Sequence, residues 1–308
     1  MKYISCCVIL VLIAFICGCV DAKVHKDTQA MMGTFVQVLS TDKNAAGIVF
    51  KEIKRIEGLL SKYDPLSEIS RLNAAGKLKV SPETFFIVKK AKEFSEESKG
   101  AFDITVGPLV GLWGFKDKDY RVPSEAKIKD ALRLVGSDKI VLQEGANVVK
   151  LKTPGMVLDL GAIAKGYAVD KAVARLKAAG IKNCLINAGG EIYCMGVRSG
   201  SRLWKVAVQD PRGDALRGGM ELKDSAVATS GDYEQYFIKD GKRYAHIIDP
   251  RTGYPAASRV SSVTVTGPDC LGADALATAF FVLGPEGSSA ILDKFPGYSF
   301  TMVIDNDA

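Results

Sequence analysis

The hydrophobic residues of this chain recur with two different periods, and the segments that carry them follow no strict βαβ rhythm. A helix shows an apolar face about every 3.6 residues and a half-buried strand every second residue. Residues 45–60 place Ile48, Val49, Ile53, Ile56, Leu59 and Leu60 at helical spacing. Residues 82–98 read as a second amphipathic helix, with Ser81 as N-cap and Pro82 in the first turn. Residues 124–134 begin the same way, from Pro123 and Ser124. An Ala-rich helix over 162–179 stops at Gly180, and an apolar helix over 273–283 stops at Gly284 and Pro285. Strands are predicted over 33–39, 148–152, 156–160, 183–197, 203–209, 219–228, 260–266 and 300–304. Segments 236–239 and 243–248 flank Asp240-Gly241, a strong hairpin signal. Residues 102–115 are broken by Gly and Pro yet unusually apolar for a loop. This mixture predicts an α+β, or mixed α/β, fold with antiparallel pairing.

Of 308 residues, 47% are apolar and 25% charged, so the chain can bury a real core. Disorder, collagen and coiled coil are excluded by that composition. A net charge of +6 is mild at this length and no five basic residues run together, so nucleic acid is not an indicated partner. Only His25 and His246 could serve a His-built zinc site, which leaves little room for one. No linker rich in Gly, Ser or Pro divides the chain, and residues 19–308 read as one domain.

Residues 6–16 are apolar and follow the single charge of Lys2. That fits the core of a secretory signal and is short for a membrane span of about 20 residues. An uncleaved anchor helix is the alternative, because residues 3–20 carry no charge. Ile16-Cys17-Gly18-Cys19 favours the signal: it is similar to a bacterial lipobox, with Cys17 where Ala, Ser or Thr is usual. Residues 1–18 are then a lipoprotein signal peptide and Cys19 is the acylated new N-terminus. Several acyl chains hold a protein stably on a membrane, so the expected location is exported, lipid-anchored and facing the periplasm. Cys184, Cys194 and Cys270 remain. Three thiols allow at most one disulfide, no C-x-x-C exists, and small buried hydrophobes are the reading for all three.

Phosphate loops, a G-x-G-x-x-G turn and a G-x-S-x-G elbow are all absent. Asp159 instead closes a strand, and Lys165 stands in the first turn of the next helix. A cation there opposes the helix dipole, which makes sense if an anion sits at the helix N-terminus; a simply solvated lysine reads equally well. Asp274 and Thr278 are i and i+4 on an Ala- and Phe-rich helix, so their oxygens share one face. Buried carboxylates need a partner or a metal, and carboxylate with hydroxyl suits Mg²⁺. A dipole partner and a hydroxyl bonded back to its own helix are the plainer alternative. His246, Asp249 and Arg251 end a strand in a Pro-containing turn, which alone would be structural.

Taken in order, these pieces resemble the FAD:protein FMN transferase, or ApbE, family. The matching motifs are Met32-Gly33-Thr34, 67–73, 102–109 with Trp113-Gly114-Phe115, 159–170, 187–190, 228–231, 246–253 and 273–279. The resemblance implies a T-fold-like architecture with two interleaved subdomains around a flavin-binding cleft. It implies Mg²⁺-dependent transfer of FMN from FAD to a threonine hydroxyl of target flavoproteins, such as membrane redox subunits, with release of AMP. It carries the metal ligands to Ala162 (through its carbonyl), Asp274 and Thr278. It carries the FAD contacts to Met32, Tyr63, Ala101, Phe102, Asp103, Asp159, Lys165 and Ile248. Tyr63 stands where some members that mainly hydrolyse FAD have Asn. His246 is the histidine among these motifs and the expected general base, titrating near 6.5 if unperturbed. The alternatives are a Mg²⁺-dependent FAD pyrophosphatase, a non-catalytic periplasmic FAD-binding lipoprotein and a solute-binding lipoprotein. The last lacks the two repeated βαβ lobes.

Overall fold

A computed structural model describes residues 23–213 and 215–305; the signal peptide read over 1–18 and Cys19 lie outside the described residues. The strands are β1 (His25–Met31), β2 (Thr34–Ser40), β3 (Lys77–Lys79), β4 (Ile140–Gln143), β5 (Val148–Leu151), β6 (Cys184–Ala188), β7 (Glu191–Met195), β8 (Trp204–Gln209), β9 (Leu216–Leu222), β10 (Ser225–Gly231), β11 (Tyr236–Lys239), β12 (Lys242–Ala245), β13 (Val260–Gly267) and β14 (Ser299–Ile304). The α-helices are α1 (Ala45–Leu60), α2 (Glu68–Ala75), α3 (Pro82–Glu97), α4 (Gly107–Leu112), α5 (Glu125–Leu132), α6 (Ala164–Ala178) and α7 (Cys270–Ser289). The fold is the mixed α/β expected from the two hydrophobic periods.

A 7-stranded sheet of order β1-β2-β6-β7-β10-β13-β14 forms the centre. Every pair in it is antiparallel. Helices α1, α6 and α7 pack on it and on each other, burying Val49, Ile53 and Ile56 of α1 against Ala168, Ala172 and Leu176 of α6 in one core. The β8–β9 hairpin brings Trp204 and Val206 against Leu185 and Cys194 in a separate small cluster. A further apolar cluster forms around Leu109, Trp113, Phe115, Ile128 and Ile248. Trp113 Nε1 donates to Gly253 O at 2.9 Å, which ties the end of α4 to the turn after β12.

Two devices seat α7 on α6. At Gly166 a Cβ would lie 2.2 Å from Cys270 O, so no larger residue fits there. The Asp170 carboxylate, one turn on, accepts from Cys270 N and Leu271 N, both at 2.8 Å, and so caps the α7 N-terminus from the neighbouring helix.

Three predicted strands come out differently; residues 219–228 are split between β9 and β10 by a turn at Lys223 and Asp224, where Asp224 has φ 47°. Residues 183–197 turn back at Gly189 and Gly190 to give β6 and β7; at Gly189, φ is 72° and a Cβ would meet Thr34 Oγ1 at 2.5 Å. Residues 156–160 join no ladder. Their backbone is satisfied elsewhere: Leu158 N donates to Asn73 Oδ1 at 2.7 Å and Asp159 N to Ile104 O at 2.7 Å. Cys184, Cys194 and Cys270 are free buried thiols, consistent with their reading as small hydrophobes.

Candidate active site

At the end of the central sheet marked by the β1–β2 and β6–β7 turns, a cleft opens between the main core and the cluster around Trp113. Lys62, Tyr63, Ala101, Phe102, Asp103, Asp159, Ala162, Lys165, His246, Ile248, Asp274 and Thr278 all line it. Of the residues carried over by resemblance, only Met32 is not among those lining it. Met32 holds the β1–β2 turn at φ 51°, and its N–H donates to Glu57 Oε1 at 2.8 Å.

The charges in the cleft are largely buried. Lys165, in the first turn of α6, forms an ion pair with Glu191 at the start of β7. Glu191 is only 2% exposed, and its Oε2 has no hydrogen-bond partner. Burial pushes the Glu191, Asp274 and Glu234 carboxyls above their ordinary values, against the pull of the Lys165 ammonium. Burial also opposes the charge of Lys165, yet the Glu191 and Asp274 carboxylates hold it above the usual lysine value. Asp274 Oδ2 accepts from Gly166 N at 3.0 Å, so the close approach of α6 and α7 fixes this carboxylate. Thr278 lies one turn further along and shares a hydrogen bond of 3.2 Å with Ser230. Their common helical face, read from i and i+4 spacing, does open on the cleft.

His246 is aimed by its own backbone neighbourhood. Nδ1 lies 3.1 Å from Gln235 O. A carbonyl can only accept, so Nδ1 carries the proton and Nε2 keeps a lone pair. Burial above all, joined by the Lys165 and Lys62 ammonium groups and opposed by the Gln235 hydrogen bond and the Asp159 carboxylate, lowers the His246 pKa from 6.5 to about 4. The value near 6.5 expected for a free histidine is therefore corrected: this ring is neutral throughout the neutral range.

Two acids that could compete with His246 are otherwise engaged. Asp103 accepts from Thr105 N at 2.8 Å, Thr105 Oγ1 at 2.7 Å and Ser137 N at 2.8 Å, which pins residues 103–105 to 137. Asp249 accepts from Arg251 N, Nε and Nη2 at 2.8–2.9 Å and so locks its own turn. Asp159 accepts from Gly161 N at 2.9 Å and pairs with Lys62. Tyr63 is 66% exposed at the mouth, with Lys62 Nζ 5.1 Å from its ring centroid. Glu191 and Glu234 are the functional candidates missed by the sequence reading. A Gly-Gly turn followed by a carboxylate was the one available signal for Glu191.

Residues 32–302 match the ApbE family. The chain belongs to the ApbE family. It is 38% identical over 279 residues to a protein named FAD:protein FMN transferase from Klebsiella pneumoniae strain 342, covering 88% of this chain and 86% of that relative. A protein of the same name from Treponema pallidum is 36% identical over 318 residues, covering 93% and 88%. Among solved structures, the ApbE protein of Thermotoga maritima superposes with a TM-score of 0.86 at 37% identity, covering 93% of this chain and 96% of that one. The flavin transferase ApbE of Vibrio cholerae gives 0.83 at 32% identity, covering 93% and 95%.

Proposed function

We propose that this ApbE-family enzyme moves the FMN half of FAD onto a threonine hydroxyl of an acceptor flavoprotein, releasing AMP, with Mg²⁺ held by Asp274, Thr278 and the Ala162 carbonyl. Transfer of FMN from FAD is the activity its family membership and its relatives carry. The finer reading rests chiefly on one observation: a neutral, acceptor-ready His246 shares a cleft with a buried cluster of Lys165, Glu191, Glu234 and Asp274.

The residues present fit a hard divalent cation. Carboxylate, hydroxyl and carbonyl oxygens are the donors such an ion takes. Three carboxylates face one lysine, and Glu191 Oε2 is buried without a partner, so the cleft is short of positive charge. Among the described residues no three His, Cys, Asp or Glu side chains are grouped for a metal, in keeping with a set that draws one carboxylate, one hydroxyl and one backbone oxygen. When bound, Mg²⁺ would draw off charge that develops on the pyrophosphate.

Lys165 supplies a positive charge for the same pyrophosphate at the N-terminal end of α6, where the helix dipole also favours an anion. Phosphoryl-type transfer needs mainly such positioning and charge neutralisation. His246 Nε2 accepts the threonine proton as Oγ attacks the phosphorus of the FMN half. The P–O bond to the AMP half breaks, and AMP leaves with the electron pair. Ala101, Phe102 and Ile248 offer apolar wall for a ring. The enclosed part of the cleft holds about 220 Å³, below the roughly 300–1,000 Å³ of a drug-sized pocket. FAD would therefore extend past Tyr63 onto open surface. In this reading the cores on either side act as the two subdomains, and Cys19 anchors the chain by acylation to a membrane facing the periplasm.

The test is FAD and Mg²⁺ with and without an acceptor flavoprotein, following AMP. The reading expects AMP to form only with the acceptor, and no free FMN. Equal AMP and free FMN in both tubes would make the chain a pyrophosphatase.

A further inference from the structure

The register of the central sheet puts His25, Ser40, Cys184 and Met195 level at the end away from the cleft. Lysines gather there. Lys177, Lys182 and Lys223 line one groove with Asp224. Lys23 and Lys26 stand at the entry to β1 and Lys43 just after β2, all exposed. None of these six forms an ion pair among the described residues. The acids at this end include Asp27, Asp42, Asp224 and, between β13 and α7, Asp269; Asp42, Asp224 and Asp269 accept from the backbone N–H groups of Asn44, Gly196 and Gly272.

We propose that this lysine-bearing end rests on an anionic phospholipid surface, with the cleft facing away from the membrane. The proposal rests on the reading of Cys19 as an acylated anchor. Cys19 lies four residues before Lys23, and four residues reach at most about 14 Å when fully extended. The start of β1 is thereby held within about two Debye lengths of the headgroups, each about 8 Å at physiological salt. Each lysine that comes within a Debye length of the surface favours it roughly fivefold. β1 has 7 residues, so the cleft end stands roughly 23 Å further out at about 3.3 Å per residue. The partner threonine is then presented by an acceptor domain projecting from the bilayer, not by a segment lying on it.

The experiment uses the processed, lipidated chain on phosphatidylcholine vesicles with or without phosphatidylglycerol. A fluorophore is placed at Lys223→Cys or at Phe35→Cys; Phe35 is exposed on β2 beside the cleft-end turn. The native thiols are buried and stay unlabelled. Quenching by spin-labelled headgroups should be strong at position 223 and weak at 35 on the anionic vesicles. That contrast should shrink on phosphatidylcholine alone, and by roughly 25-fold in orientational preference when Lys177→Gln and Lys182→Gln are added. Equal quenching at both positions, stronger quenching at 35, or a contrast indifferent to lipid charge would overturn the orientation. A mass spectrum showing no acyl group on Cys19 would overturn the anchor reading itself, and the orientation with it.

Discussion

The two ends of the central sheet carry charge in opposite ways. At the cleft end, Lys165, Glu191, Asp274 and His246 are enclosed by protein, and each group is set by two or three named neighbours. At the far end, Lys177, Lys182 and Lys223 stand in solvent. Burial is the whole difference. A charge taken out of water is costly unless paired, and its neighbours then control it. A charge left in water is screened and acts only in concert with others. Single substitutions should therefore have large effects at the cleft end and almost none at the far end.

The largest effect is expected for Asp274→Asn. The amide oxygen can still accept from Gly166 N, so the fold should persist, while a metal-binding charge is lost. Turnover should drop by more than the roughly 10–100-fold typical of a group that merely supports a ligand. Titration calorimetry with Mg²⁺ should show the matching loss of affinity. Unchanged Mg²⁺ binding would move the metal elsewhere in the cleft.

Next comes His246→Ala, expected to slow transfer by about 10²–10⁴-fold with FAD affinity kept. Its pH behaviour follows from burial. The folded pKa, about 4, lies below the unfolded value near 6.5. The base form thus survives acidification, and His246 should not limit transfer until the pH approaches 4. Stability runs the other way: between those pH values the unfolded chain binds the extra proton, so this group's contribution falls as pH drops through that window. Denaturation curves at pH 7 and 5 should show that decline in the wild type and less of it in the variant.

Glu191→Gln should be milder. It removes the anion that holds Lys165 but keeps the size of the side chain. A fall in kcat of roughly 10–100-fold is expected, with KM for FAD unchanged or lower, because Lys165 still attracts the pyrophosphate. A rise in KM alone would mean that Glu191 serves binding instead of alignment. The smallest effect belongs to the far end: Lys182→Ala should change stability by no more than about 0.5 kcal/mol and leave transfer in solution untouched.

How legible each region was in the sequence follows the same physics. Helix α1 was readable to its ends because its apolar stripe is long and regular, and α3 because Ser81 and Pro82 announce it; Ser81 does cap it, accepting from Thr84 N at 3.2 Å. Strand β1 was not readable. Its residues HKDTQAM are exposed along most of an edge strand, so no alternation marks them. Helix α2 went unseen as a helix, although Ser67 caps it and Gly76 ends it at φ 70°, because only Ile69 and Leu72 of its eight residues are buried. The shared face of Asp274 and Thr278 was legible, since helical spacing is local information. Glu191 and Glu234 were not, since their role arises only when β7 and the segment after β10 are folded against Lys165. The lowered His246 pKa was hidden for the same reason: burial is a property of the fold and not of the residue.

The most direct measurement is in-gel flavin fluorescence of an acceptor flavoprotein after incubation with FAD, Mg²⁺ and either wild-type enzyme or His246→Ala, followed by denaturing electrophoresis. A fluorescent acceptor band is expected with the wild type, fainter by about 10²–10⁴-fold in rate with the variant, and absent when the acceptor threonine is replaced by valine. An acceptor that stays dark with the wild type, or that glows equally with both enzymes, would contradict the account.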